Sequence, residues 1–287
     1  MGITSSADIE AVAPSYWQHE YSPRATILDS QDYFDAWAAR AALTRQQIQG
    51  RLDVAYGSGA RERLDVFRGQ ASSGTLIFIH GGYWRAFGKE DFSWVADTFV
   101  KAGLTVVVLS YPLIPTAHMA DISRSISRAI NFLARELLSA QELTTLVVAG
   151  HSAGAQLAAH YLASSSKEAA QRKLDAIVCI SGVFDLFPVS HAGVFAGMDM
   201  PPNELHAACP LYLPPPDRGS VLLALGADET REFHRQSERF ADAWSKRVTG
   251  LIRIPGRHHF SVIDDLYDAG SDLSQLVLGL FKPYAKR

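Results

Sequence analysis

The apolar run Leu146-Val147-Val148-Ala149 leads into Gly150-His151-Ser152-Ala153-Gly154, which continues as the small, helix-compatible run Ala155-Gln156-Leu157-Ala158-Ala159. A strand that must become a helix across a single serine leaves few architectures open. The Gly-x-Ser-x-Gly pattern in this context predicts a nucleophile elbow, in which a strained turn lifts the serine hydroxyl above the edge of a sheet. Glycines flank the serine because a side chain there would strike the neighbouring strand or helix. The five-residue pattern alone is common, so its weight rests on what accompanies it.

A second signal lies upstream. The strand-like run Thr75-Leu76-Ile77-Phe78-Ile79 ends in His80-Gly81-Gly82-Tyr83-Trp84. Small residues after a strand let backbone N–H groups face a developing oxyanion. The candidate donors are the amides of Gly82, Tyr83 and Ala153, the last carried with the serine itself. Two signals in this order predict a serine hydrolase.

From Thr75 onward, short and wholly apolar segments alternate with longer amphipathic ones. The predicted strands are 75–80, 104–109, 145–150, 174–180, 220–226 and 248–254, and the predicted helices 89–102, 119–139, 153–165, 229–246 and 261–280. Continuous apolarity marks strands buried on both faces, as in a parallel sheet covered by helices. Before them, Arg51–Tyr56 and Glu62–Phe67 alternate around Gly57-Ser58-Gly59, a hairpin pattern. A helix from Asp32 to about Leu43, capped by Asp29 or Ser30, precedes the hairpin. The expected fold is therefore α/β, an α/β-hydrolase fold with a mostly parallel central sheet, helices on both faces and a lid or cap insertion. Residues 1–50 read as an N-terminal helical cap segment and 51–287 as the hydrolase domain. The lid is assigned to about 183–218, a stretch too long for a plain connection.

Composition narrows the partners. The chain has 287 residues, 47% hydrophobic, with a formal net charge of −3, which suits one large domain and gives no electrostatic reason to expect nucleic acid or an anionic membrane. Cys179 and Cys209 are too few for a disulfide framework. Asp8, Glu10, His19 and Glu20 interrupt the first thirty residues, so no signal peptide is expected. No run approaches the roughly 20 apolar residues of a membrane span. A cytoplasmic protein acting on a small molecule is expected, and a homodimer stays open.

A serine needs an imidazole to take its proton and a carboxylate to orient that imidazole. In chain order the acid should follow a late strand and the histidine the last one. Val221–Ala227 leads into Asp228-Glu229, and both qualify. Asp228 is preferred because Glu229 would fall in the first turn of the next helix, where a carboxylate suits the helix dipole; Asp199 and Asp185 are remoter choices. Pro255-Gly256-Arg257-His258-His259-Phe260 offers two histidines, of which His259, just before a helix start, is preferred. No carboxylate or cysteine stands at ligand spacing, so neither a metal nor another cofactor is expected. Trp84 and Phe87 by the oxyanion loop, with Phe187 and Phe195 in the lid, are the candidate substrate-binding residues and suggest an aromatic substrate.

These residues resemble the serine-dependent kynurenine formamidases (arylformamidases) and the bacterial esterase-like α/β-hydrolases grouped with them. The resemblance is carried by His80-Gly-Gly-Tyr-Trp84, Gly150-His-Ser-Ala-Gly154, Ser181-Gly-Val-Phe-Asp185-Leu186, Gly226–Ser237 and Pro255–Ser261, with Glu20-Tyr-Ser-Pro-Arg24 and Arg61–Phe67 upstream. It implies Ser152 as nucleophile, Asp228 as acid, His259 as base, and Gly82, Tyr83 and Ala153 as oxyanion positions. The activity it implies is hydrolysis of an N-formyl arylamine such as N-formylkynurenine to formate and free amine, a step of tryptophan breakdown. Small-ester hydrolysis, cleavage of another amide or carbamate, and a binding role on an inactive hydrolase fold are the alternatives.

Overall fold

The computed structural model describes residues 9, 11–70, 72–165, 172, 174–198 and 200–281. Its frame is one sheet of eight strands: β1 (Gly50–Ala55), β2 (Arg63–Arg68), β3 (Thr75–Ile79), β4 (Thr105–Leu109), β5 (Leu146–His151), β6 (Ala176–Ile180), β7 (Ser220–Gly226) and β8 (Val248–Ile254). They lie in the order β1-β2-β4-β3-β5-β6-β7-β8. The β1–β2 and β2–β4 pairs are antiparallel; the remaining pairs are parallel. The expected hairpin and the six parallel strands thus form a single sheet.

The continuous apolar runs have a simple physical origin. Side chains alternate across a strand, and here both faces are covered. Ile77, Ile79, Val148, Ile177, Cys179 and Leu223 enter one core, while Leu76, Phe78, Val147, Ala149, Val178 and Leu222 enter the other. The first core is closed by the helices Met119–Phe132, Ala153–Ser165 and Arg231–Ala243, whose residues Ile126, Leu157 and Phe233 belong to it. The second is closed by Ser30–Gln47, Ala96–Lys101 and Asp272–Gly279 through Trp37, Phe99 and Val277.

Two expected helices are broken. The segment 89–102 divides into Lys89–Phe92, a 3₁₀ turn at Ser93–Val95, and Ala96–Lys101. The segment 261–280 divides into Ser261–Asp264 and Asp272–Gly279. There Asp268 accepts the Gly270 amide on its own carboxylate, and the Ser271 side chain caps the second helix by accepting the Ser274 amide. Such local side-chain bonds offer the backbone an alternative to continued helix.

The N-terminal residues are built into this frame. Trp17 and Tyr21, from and just after the helix Pro14–Glu20, are buried in the first core with Phe233. The excursion at 183–218 holds two short helices, Leu186–Ser190 and Pro202–Ala207, with 3₁₀ turns at Gly193–Phe195 and Pro210–Tyr212. Asp199 lies outside the described residues. Both cysteines are buried and unpaired.

Candidate active site

The loops after β3, β5, β7 and β8 meet at the carboxyl edge of the parallel strands, where open α/β sheets bind their ligands. Ser152 follows β5 directly and takes a left-handed φ of 55°. Its amide donates to Ile180 O at 2.8 Å, which ties the turn to β6. A Cβ on Gly150 would stand 2.3 Å from Gly154 O, and one on Gly154 would stand 2.1 Å from Ile79 O. The two glycines are therefore needed for the elbow to close on itself and against β3, as the sequence pattern requires.

The loop after β3 presses on this turn. A Cβ on Gly81 would lie 3.1 Å from Ser152 Cβ and 2.9 Å from His151 O. Gly82, Tyr83, Trp84 and Phe87 all have positive φ, at 98°, 48°, 58° and 70°. Several side chains hold these unfavourable conformations. Tyr83 Oη donates to Tyr21 O at 2.7 Å, Trp84 Nε1 donates to Gln156 Oε1 at 3.0 Å, and Arg61 donates to Phe87 O. Tyr111 Oη donates to His80 O at 2.9 Å. Among the described residues, the amides of Gly82, Tyr83 and Ala153 donate to no protein acceptor.

His259 Nδ1 lies 2.8 Å from Glu229 Oε2, and both side chains are almost wholly buried. The expected partner, Asp228, is exposed. The turn after β7 explains the exchange. Asp228 donates its amide to Arg257 O, which directs that residue outward, while Glu229 folds back under the sheet edge. There Glu229 Oε1 accepts the Gly226 amide at 2.8 Å and the Ser181 hydroxyl. Glutamate's extra methylene spans a gap that pattern and chain order alone do not reveal. The only sequence hint was that both carboxylates stood at the right place.

His258 stands apart from this pair. Its Nδ1 accepts the amides of Phe260 and Ser261, each at 3.3 Å, and its ring packs edge-on against Tyr33. It opens the helix Ser261–Asp264, leaving the inward position to His259. His151 supports that position: its Nε2 lies 2.8 Å from His259 O, so this nitrogen carries the proton and donates. Burial lowers the His151 pKa well below the usual imidazole value, with the neighbouring His259 adding to the effect. The neutral His151 ring lies 4.8 Å from that of His259.

Ser152 and His259 open into one cavity of about 480 Å³, within the usual range for small-molecule sites. Gly81, Gly82, Tyr83 and His151 line its floor, and Phe34, Trp37, Phe87, Phe92 and Phe260 its wall. The N-terminal residues Gln18 and Ser22–Ala25 and the excursion residues Gly193 and Val194 complete it. Of the four aromatic residues expected at the substrate, only Phe87 is on this surface. Trp84 is fully buried, fixed through Gln156. Phe187 and Phe195 line a different hollow, with Met198 and Leu205. The helix Leu186–Ser190 packs on both the 3₁₀ turn at Gly193–Phe195 and the helix Pro202–Ala207, and this cluster encloses a hollow of its own. Phe34 and Trp37 were legible in the sequence only as a helix's apolar stripe.

A family model described as the alpha/beta hydrolase fold matches residues 76–237, more than half of the chain. The chain belongs to the alpha/beta hydrolase-fold family. Similar proteins span nearly all of it. Kynurenine formamidase of Salmo salar is 29% identical over 279 residues, covering 93% of this chain and 92% of that protein. The enzyme of the same name from Danio rerio is 27% identical, with the same coverage. A solved structure of a candidate thioesterase from Silicibacter sp. superimposes with a TM-score of 0.81 at 30% identity, covering 91% of this chain and 98% of that one. Fold and relatives together make this chain a hydrolase.

Proposed function

We propose that the protein is a serine hydrolase that cleaves an N-formyl arylamine of the N-formylkynurenine type to formate and the free amine. The observation that carries this reading is the buried Glu229–His259 pair, whose imidazole opens with Ser152 into an aromatic-walled cavity, in a chain whose relatives include kynurenine formamidases. A carboxylate only accepts, so His259 Nδ1 carries the proton and Nε2 keeps its lone pair for the Ser152 hydroxyl. Ser152 Oγ attacks the formyl carbonyl as its proton passes to His259. The amides of Gly82, Tyr83 and Ala153 receive the oxyanion, each such donor being worth about 3 kcal/mol of barrier. His259 then protonates the departing aryl nitrogen, and a water, deprotonated by the same imidazole, releases formate from the acyl-serine. Glu229 fixes the ring and balances its transient charge.

The left-handed Ser152 fits this role, because strain held by surrounding packing concentrates where a side chain must be presented. Gly193 and Val194 give the 183–218 excursion the part of a wall over the leaving-group side. The test is a parallel assay of one preparation with N-formylkynurenine and p-nitrophenyl acetate. A higher kcat/KM for the formamide, with stoichiometric formate, is expected. Turnover of the ester with none of the formamide would overturn the reading in favour of an esterase.

A further inference from the structure

The cavity over Ser152 has a marked charge pattern. Among its lining residues, apart from the imidazoles of His151 and His259 and the neutral phenol of Tyr83, one side chain can carry a charge: Arg24, in the short helix Pro23–Thr26. No Asp, Glu or Lys shares the surface. Around Arg24 the wall is aromatic, with Phe34 and Phe87 edge-to-face at 5.1 Å and Phe34 and Phe260 at 5.0 Å.

The guanidinium is held in place. Its Cζ sits 5.3 Å from the centre of the Phe34 ring, itself part of the cavity wall. Arg24 Nη2 donates to Gln31 Oε1 at 3.3 Å, while Gln31 Nε2 donates to Asp35 Oδ1 at 2.8 Å. Asp35 thereby orients the Gln31 amide with its oxygen towards Arg24, and Asp35 itself stays off the guanidinium. Among the described residues, no carboxylate pairs with Arg24. A stacked, partly tethered guanidinium without an acidic partner keeps donors for a planar, bidentate anion.

We infer that Arg24 is a specificity-determining residue: it receives a carboxylate borne on the leaving group of an aromatic substrate whose scissile carbonyl lies over Ser152. This rests on the hydrolase reading above and sharpens it, since it separates aryl amides bearing an acidic side chain from neutral ones. A neutral aryl amide or ester gains only the ring contacts. A carboxylated one gains a charge-assisted contact at the cavity mouth, formed in ground and transition states alike, which acts on KM more than on kcat.

The experiment compares N-formylkynurenine with 2′-formamidoacetophenone, which keeps the aryl formamide and lacks the amino-acid carboxylate. In the wild type the kcat/KM ratio should favour the carboxylated substrate. Arg24→Ala should lower that ratio by about tenfold or more, mainly through KM, Arg24→Lys should retain part of it, and Arg24→Glu should lower it furthest. An unchanged ratio in Arg24→Ala and Arg24→Glu, with melting temperatures equal to wild type, would overturn the inference. If neither formamide turns over, the formamidase reading has failed on its own. Arg24 is then tested by competition of 4-phenylbutyrate and 4-phenylbutanol against p-nitrophenyl acetate. Loss of the carboxylate's advantage in Arg24→Glu sustains the inference, and equal inhibition in wild type and variant ends it.

Discussion

Glu229 grips His259 Nδ1 at 2.8 Å with one carboxylate oxygen and holds the Gly226 amide and the Ser181 hydroxyl with the other. One side chain therefore joins the ends of three strands, β6, β7 and β8, at the point where the imidazole must be oriented. Three hydrogen bonds from three different segments hold the carboxylate.

Glu229→Gln should lower kcat by about 10³-fold or more, since an amide can stabilise the wrong imidazole tautomer. Asp228→Asn, at an exposed position, should change kcat less than about threefold. Steady-state kinetics on both variants decide the matter. A larger loss in Asp228→Asn would reassign the acid.

Ser152 should be the site of covalent inactivation. Phenylmethylsulfonyl fluoride is expected to add one sulfonyl group, located on the peptide containing Ser152 by mass spectrometry, with loss of turnover in proportion to labelling. EDTA should leave turnover unchanged. Inactivation by EDTA, or labelling elsewhere, would contradict the acyl-serine mechanism.

Gly81→Ala tests the loop that abuts the elbow. The added methyl would meet His151 O at 2.9 Å and Ser152 Cβ at 3.1 Å, so the loop after β3 must withdraw. A shift of well under an ångström there should cost kcat about tenfold or more while stability falls by only about 1–2 kcal/mol. Kinetics and urea melts of the same sample separate the two effects. A fully active variant would mean that the loop's position is not critical.

The acid side of the stability profile should carry a histidine signature. His80 is fully buried between Tyr111 and Phe92, its Nδ1 bonded to Gly81 O and its Nε2 without a partner among the described residues. Burial pushes its pKa down to about 3. Unfolded, the imidazole protonates near 6.5. Between those values the unfolded chain holds a proton that the folded one refuses. The contribution is thus complete above pH 6.5 and is lost as the pH falls towards 3. From this group alone, unfolding free energy should drop by about 2 kcal/mol between pH 6.5 and 5. His80→Phe, which keeps the ring between its two aromatic neighbours, should flatten that segment of the curve. Equal slopes in the two proteins would show that His80 is not the group responsible.

The turn at Ser152, the glycine loop after β3 and much of the strand alternation were legible in the chain because each depends on residues adjacent in sequence. The apolar runs of β3, β4, β5 and β6 are buried on both faces, whereas β8, expected to be the same, lies at the sheet edge and is largely half-exposed; Gly150 and Gly154 flank Ser152 because the turn is local. His259 was preferred over His258 because it stands just before the next helix start, and it is the His259 ring that lies against Glu229. What the sequence could not determine was which side chains converge from distant segments. Asp228 and Glu229 differ by one position, and the choice between them was made by Ser181, Gly226 and the path of Arg257 across the neighbouring loop. The same holds for the cavity wall. Trp84 went to the core because Gln156, 72 residues on, supplies its acceptor, whereas Phe34 and Trp37 came to the site because the helix Ser30–Gln47 packs on Lys89–Phe92, just past the loop after β3, and Arg24, in the separate helix Pro23–Thr26, lies over the Phe34 ring. Periodicity says that a face is apolar; only the packing of one element on another decides whether that face meets a core or a substrate.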